Sequence, residues 1–501
     1  MTEGTSQTGR SVVRSILYGF STWLFPLVLS FIATPIIVGA LGNEDYGIYV
    51  LVLGFIGYSF NLNFVRAVTK EIAGSRGSGD GKRMGEVISA SLMLNVPMGL
   101  LGMGVLLLAA NWLVHDVLLI VPADRDKTVL AFYIASGILF LTMLNQFVNA
   151  ILQGLHRFDL FSRLFNLNTG LLLSGNAALA WMGYGLNALL FWNLGVLGAM
   201  VILGGFICRS LLPPLDLNFS ISNPALKKIA GFSAGIIGYQ VLSNGLLLFE
   251  RGWLMRMLGP EDVTFYVVPL TLAIYIHGFI ASLMLVMFPL TSELADDRAR
   301  LERLYAKATR MTVFLVFFIL SSVLVIGREF LAAWLGESFA DESSILLSIH
   351  AVTFSIVAIQ VVSWQMMEGL GRTTYNFAVF CVCLVIGLSL MIALTEPYEG
   401  TGVAVARLAG FGTIFVSVFV AERLVFGSVK AVFWIKTVSA LAVAGAAAAA
   451  SEFAVLSLVP AGWTAIIAAG LAGFAVYVAV SLVTGGVSKD ERAFVREMFA
   501  R

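Results

Sequence analysis

Six charged side chains in or beside long apolar runs carry whatever chemistry this chain has. Glu250 and Arg251 stand side by side within Ser243-Asn-Gly-Leu-Leu-Leu-Phe-Glu-Arg-Gly-Trp-Leu-Met-Arg256, and Arg407 interrupts Val403-Ala-Val-Ala-Arg-Leu-Ala-Gly410. Charge in hydrocarbon is costly enough that such a residue is a functional candidate by default. Arg66, Arg14 and Arg256 lie nearer the ends of their runs, where a basic side chain ordinarily snorkels to lipid phosphates. The embedded set is mostly arginine, with one acid among it. Arginine's planar fork grips a phosphate bidentately, so these residues suit a phosphate-bearing solute and repel an organic cation. Arginine stays charged and carries no exchangeable proton. Glu250 is therefore the group through which a proton or sodium gradient would be coupled. The competing reading is an interhelical ion pair that fixes packing alone.

The elements that must position these groups are membrane helices. The chain is 59% hydrophobic and 12% charged, against about 25% charged in soluble domains, and its mean hydropathy is +0.91. Apolar stretches of about 20 residues, the length that crosses a bilayer, recur along nearly all of its 501 residues. The pattern predicts an all-α polytopic membrane protein with 14 transmembrane helices. Of the 31 Lys and Arg residues, Arg251 and Arg407 are embedded and Arg125, Lys127, Arg256 and Arg328 fall on one set of connections. All the rest fall on the alternate set. The positive-inside rule then places both termini in the cytoplasm. The first apolar run, from Ser11 to about Leu41, is too long for a signal-peptide core.

A repeat organises the spans. Leu41-Gly-Asn-Glu-Asp-Tyr-Gly-Ile-Tyr-Val-Leu-Val-Leu53 returns as Leu258-Gly-Pro-Glu-Asp-Val-Thr-Phe-Tyr-Val-Val-Pro-Leu270, offset by 217 with seven identities. Gly154-Leu-His-Arg157 returns as Gly369-Leu-Gly-Arg372. Six spans separate the first pair, so the halves cross in the same direction, related by an axis along the membrane normal. The expected division is an N-terminal lobe at 1–210, a cytoplasmic linker at 211–228, a C-terminal lobe at 229–425, and two further spans with a tail at 426–501. The repeated turns face outward on this reading. Their Glu-Asp pairs suit the start of the following helix rather than a metal.

Several function classes drop out. A formal net charge of +1 gives no purchase on nucleic acid, and three scattered cysteines without a histidine cluster make no metal site. No nucleotide loop, catalytic triad or zinc spacing is present. No connecting segment is long enough for an external catalytic domain, the longest being about 114–127 and 328–344. The expectation is a transporter and not an enzyme, with no bound cofactor. Asn145, Gln146, Asn149, Asn166, Asn168, Asn176, Gln240 and Asn244 offer hydrogen bonds that a sugar or a neighbouring helix would use.

Ile36-Ile-Val-Gly-Ala-Leu-Gly-Asn-Glu-Asp-Tyr-Gly-Ile-Tyr49 and the two Gly-Leu-x-Arg turns resemble the polysaccharide-transport family. This family includes O-antigen and exopolysaccharide repeat-unit flippases, within the multidrug/oligosaccharidyl-lipid/polysaccharide exporter superfamily. The resemblance implies a monomer of two six-helix lobes with two added helices. It would move undecaprenyl-diphosphate-linked oligosaccharides across the bacterial inner membrane by alternating access. Glu250-Arg251 fits an acid–base pair common in the family's seventh span. Membrane lipids, a polysaccharide polymerase and glycosyltransferases are the partners it implies. The alternatives are a multidrug/cation antiporter of the same superfamily and an integral-membrane glycan polymerase or ligase.

Overall fold

The structure, a computed structural model, describes residues 3–58, 68–69, 71–75, 81–212, 224–284 and 287–486, with the backbone alone at 3–20, 23, 81, 224–239 and 289. Every regular element among the described residues is helical. Hydrocarbon offers the backbone no hydrogen-bond partner, so a span must satisfy its own N–H and C=O groups.

The helices are α1 (Glu3–Tyr58), α2 (Gly81–Trp112), α3 (Arg125–Gly154), α4 (Phe158–Trp181), α5 (Leu186–Leu211), α6 (Pro224–Met257), α7 (Pro260–Met284), α8 (Met287–Glu293), α9 (Arg298–Leu335), α10 (Glu337–Gly369), α11 (Thr373–Phe426), α12 (Ala431–Leu458) and α13 (Trp463–Thr484). Two are bent pairs of spans. A straight helix of the 56 residues of α1 would be about 84 Å long, nearly three hydrocarbon thicknesses. It breaks at Gly42, where φ is 76° and ψ 166°. The 54-residue α11 breaks at Glu399 (φ 51°, ψ −139°), two residues after Pro397. Ten described stretches are long and apolar enough to cross a membrane, these two bent pairs among them. With α4 and α6, whose Asn, Ser and charged residues lower their hydropathy, the crossing segments number the expected fourteen.

The chain forms two compact units, Met1–Thr264 and Phe265–Arg501. In the first, α1 packs on α3 and α4, α2 on α3, α3 on α5, and α6 on α1 and α2. In the second, α10 packs on α9 and α11, and α12 packs on α9 and α13. The sequence halves meet at 211–228, of which 213–223 lie outside the described residues. The compact units divide at 264/265, with α6 packed on α1 and α2. The segment 328–344, expected as a connection, is helical except for the single turn at Gly336 (φ 100°).

The two Gly-Leu-x-Arg turns have one geometry. The Arg157 amide donates to the Leu152 carbonyl and the Arg372 amide to Met367, both at 2.8 Å. The third residue is left-handed in each, His156 at φ 55° and Gly371 at φ 73°. The leading glycines also match. A Cβ on Gly154 would lie 2.7 Å from Ile72 Cβ, and one on Gly369 would lie 2.7 Å from the Phe288 carbonyl oxygen and overlap Thr291 Oγ1. Glycine at these positions lets a neighbouring segment approach the helix end. Arg157 then forks onto Asp159 through two 3.0 Å bonds, which hold the Asp159 carboxyl below its usual range.

Candidate functional site

The repeated turns pack against each other. Thr264 Oγ1 donates to the Asn43 carbonyl at 2.5 Å, and Asn43 Nδ2 donates to Glu261 Oε1 at 3.2 Å. A Cβ on Gly47 would overlap the Pro260 carbonyl oxygen. At the offset of 217, Gly47 corresponds to Thr264 and Asn43 to Pro260. Position 43 of one copy thus meets position 47 of the other, and the reverse. Such reciprocity marks a two-fold contact. It explains where the second copy departs from the first: Gly47 leaves room for the Pro260 carbonyl, and Thr264 supplies the hydroxyl that ties it to Asn43. Glu261 and Asp262 occupy the first turn of α7, where the helix dipole favours acids. Lys127 pairs with Asp45 and Asp124.

Just beyond this contact, α6 places Glu250 and Arg251 in the protein interior, 0% and 7% exposed. Arg251 Nη1 donates to the Val50 carbonyl at 2.8 Å, and its guanidinium carbon lies 5.1 Å from the Tyr58 ring centroid. Its Nε is buried without a hydrogen-bond partner. Gly54 makes this reach possible, since a Cβ there would come within 2.8 Å of Nη1. The guanidinium is therefore held by a carbonyl and a ring, neither of which neutralises its charge.

Arg256, one turn further along α6, is committed differently. Its Nη1 donates to the carbonyls of Asp116 (3.0 Å) and Val117 (2.9 Å), at the π-helical end that continues α2. A cation on terminal carbonyls is the favoured helix-end arrangement. Arg66 lies outside the described residues. Of Arg14 only the backbone, inside α1, is described.

Arg407 belongs to the second unit, on the arm of α11 that follows the Glu399 break. It is 1% exposed and its guanidinium carbon lies 5.8 Å from the Phe354 ring and 5.6 Å from the Phe411 ring. The two arms of α11 touch backbone to backbone: a Cβ on Gly410 would lie 2.8 Å from the Cys383 carbonyl oxygen and 2.9 Å from Gly387 Cα. His350 of α10, which sequence reasoning missed, sits edge-on to Tyr266 at 4.6 Å, fully buried, with neither ring nitrogen hydrogen-bonded. Tyr266 and Tyr49 are matched positions of the repeat. Tyr49 instead receives hydrogen bonds from Asn176 (2.9 Å) and Asn193 (3.3 Å). Asn166 likewise binds Ser21 at 3.1 Å, so these two span asparagines, Asn166 and Asn176, act between helices.

The expectation of a single embedded acid is corrected. Glu422 and Glu452 are also 0% exposed. Glu422 accepts from Trp434 Nε1 (2.7 Å), the Lys430 amide (2.8 Å) and the Tyr305 hydroxyl (3.0 Å). Glu452 accepts from Ser322 at 2.6 Å, while its Oε2 has no hydrogen-bond partner. Both hold α12 to other helices of the second unit. Glu422 reads as a loop-side residue beside Arg423, and Glu452 as one polar residue in an alanine-rich span. Contacts alone reveal their burial.

This geometry defines an all-helical polytopic membrane protein. The inward-facing conformation of a multidrug resistance MATE family transporter of the MOP superfamily aligns with a TM-score of 0.68 at 16% identity, over 81% of this chain and 97% of that one. Lipid II flippase MurJ, in its inward closed conformation, aligns with a TM-score of 0.67 at 13% identity, over 93% and 98%. A putative O-antigen transporter of Shigella flexneri is 21% identical over 402 residues, 79% of this chain and 94% of the relative. The polysaccharide biosynthesis protein family matches residues 36–344. The chain belongs to that family, as the resemblance led one to expect.

Proposed function

We propose that the protein is a flippase for undecaprenyl-diphosphate-linked oligosaccharide repeat units. It carries them from the cytoplasmic to the periplasmic leaflet of the inner membrane by alternating access, for cell-surface polysaccharide synthesis. Family membership and the similarity to a putative O-antigen transporter support this reading. The observation that carries it is Arg251, a guanidinium buried in a membrane helix and held by Val50 and Tyr58, with Nε unpartnered. A diphosphate complements such a group. Arg407 offers a second permanent cation, cradled by aromatic rings, and a cationic drug would be disfavoured beside either. Both termini are cytoplasmic on the charge pattern, and the repeated turns face the periplasm. The protein acts as a monomer in a pathway that includes glycosyltransferases and a polymerase. Glu250 is the candidate for coupling to a proton or sodium gradient.

The test is transfer of a defined undecaprenyl-diphosphate glycan between leaflets of proteoliposomes. Transfer above protein-free vesicles is expected. Its absence, together with efflux of organic cations by the same vesicles, would replace this reading with the antiporter.

A further inference from the structure

A carboxyl is built into the joint between α9, α12 and α13 of the second unit. Glu452 of α12 is fully buried. Its Oε1 accepts the Ser322 hydroxyl of α9 at 2.6 Å, and its Oε2 has no hydrogen-bond partner. The facing position of α13 is Gly473, where a Cβ would overlap Oε1 and lie 2.7 Å from the carboxyl carbon. Glycine weakens a helix interior, and here it clears the space that the carboxyl fills. Gly473 is the eleventh of the 22 residues of α13, so the acid lies near the middle of that span.

The charged groups of the three helices are placed elsewhere. Between Arg310 and Arg328, α9 has no ionisable side chain. In α12 there are Lys436 and Glu452 itself, and in α13 only Tyr477. Along their helices, Arg310 is about 18 Å from Ser322 and Lys436 about 24 Å from Glu452. Arg328 is closer to Ser322, but its guanidinium pairs with Glu329, Glu337 and Asp341. Tyr477, one turn from Gly473, donates its hydroxyl to the Phe314 carbonyl at 2.7 Å. None of these groups is bonded to Glu452, whose hydrogen-bond partner among the described residues is Ser322.

An ionised carboxylate at this place would be held in the membrane interior by a single serine hydroxyl. Charge at the bilayer centre is costly, and a buried ionisable group without a counter-charge neutralises instead. A carboxyl does so by binding a proton. The neutral acid fits the observed partners: Oε1 is the carbonyl oxygen that accepts from Ser322, and Oε2 carries the hydrogen. One unsatisfied O–H costs far less than an unpaired charge.

We propose that Glu452 is a proton-binding site of the second unit, occupied while α9, α12 and α13 are closed on it. It is distinct from Glu250, and it stands whether or not the protein moves glycans.

The test is infrared difference spectroscopy of the full chain, purified in neutral detergent at neutral pH. The spectrum of the wild type minus that of Glu452→Gln is expected to contain the C=O stretch of a protonated carboxylic acid and no carboxylate band. Ser322→Ala removes the hydrogen bond to that C=O and is expected to move the acid band to higher frequency. Loss of a carboxylate band in Glu452→Gln, with no acid band lost, overturns the proposal. If Glu452→Gln does not stay monodisperse, Ser322→Ala decides. An upward shift of an acid band supports the site. A carboxylate band that moves instead, or an acid region left unchanged, overturns it. No transport is measured, so neither result bears on the flippase reading.

Discussion

Thr264 donates its hydroxyl to the main-chain carbonyl of Asn43, residues 221 apart that occupy the two copies of one turn. The reciprocal contact, Gly47 against Pro260, makes the joint two-sided. The proposed alternating-access cycle requires the end of the bundle that carries these turns to open. Cysteines at Asn43 and Thr264, joined by a short thiol-reactive cross-linker, are therefore expected to abolish transfer in proteoliposomes. Cysteines without cross-linker should remain active. Full activity after complete cross-linking would show that the turns stay together throughout.

Gly54 and Arg251 form a similarly exacting pair. A methyl group on Gly54 would press on the Arg251 guanidinium and its stem, moving Nη1 from the Val50 carbonyl. A charge-assisted hydrogen bond is worth about 1.5–3 kcal/mol, so transport by Gly54→Ala is expected to fall about tenfold or more. Arg251→Gln should fall at least as far. Membrane insertion, followed by a fluorescent fusion, should be unchanged in both. Wild-type transport by Gly54→Ala would mean that the Arg251 position is immaterial to the substrate.

Arg407 tests the second unit separately. Rings of Phe354 and Phe411 lie near its guanidinium, and lysine cannot reproduce planar stacking. Arg407→Lys keeps the charge and is expected to transport poorly; Arg407→Gln is expected to be nearly inactive. Equal activity of wild type and both variants would leave Arg407 a packing residue.

Span number, the repeat and the family were legible in the sequence because they rest on composition and on residues near in the chain. Arg251 and Arg407 were legible as candidates because charge is conspicuous in an apolar run. What each touches was not. Val50 and Gly54 are about 200 residues from Arg251, and no local pattern marks them. Arg256 stood apart as a residue near the end of its run, but nothing local marked the carbonyls of Asp116 and Val117 that it binds. Glu452 was obscured by its alanines. The role of Gly154 and Gly369 needed the facing segments, Ile72 on one and Thr291 on the other.

The two newly found acids should differ in cost. Glu422 accepts three hydrogen bonds with both oxygens. Glu422→Gln replaces one oxygen by an NH2 group that must face a donor already pointing at it. An unsatisfied buried polar group costs about 1–3 kcal/mol, and the helix it anchors, α12, is expected to loosen from α9 and α11. Glu452 uses one oxygen on Ser322 and leaves the other without a partner. Glutamine there can keep the Ser322 bond through its own carbonyl oxygen and, like the protonated acid, brings no charge into the membrane interior, so Glu452→Gln is expected to be neutral or stabilising. Thermal unfolding of the purified variants decides: Glu422→Gln should melt several degrees below Glu452→Gln. The reverse order would mean that the Ser322–Glu452 bond, rather than the Glu422 junction, holds α12 in place.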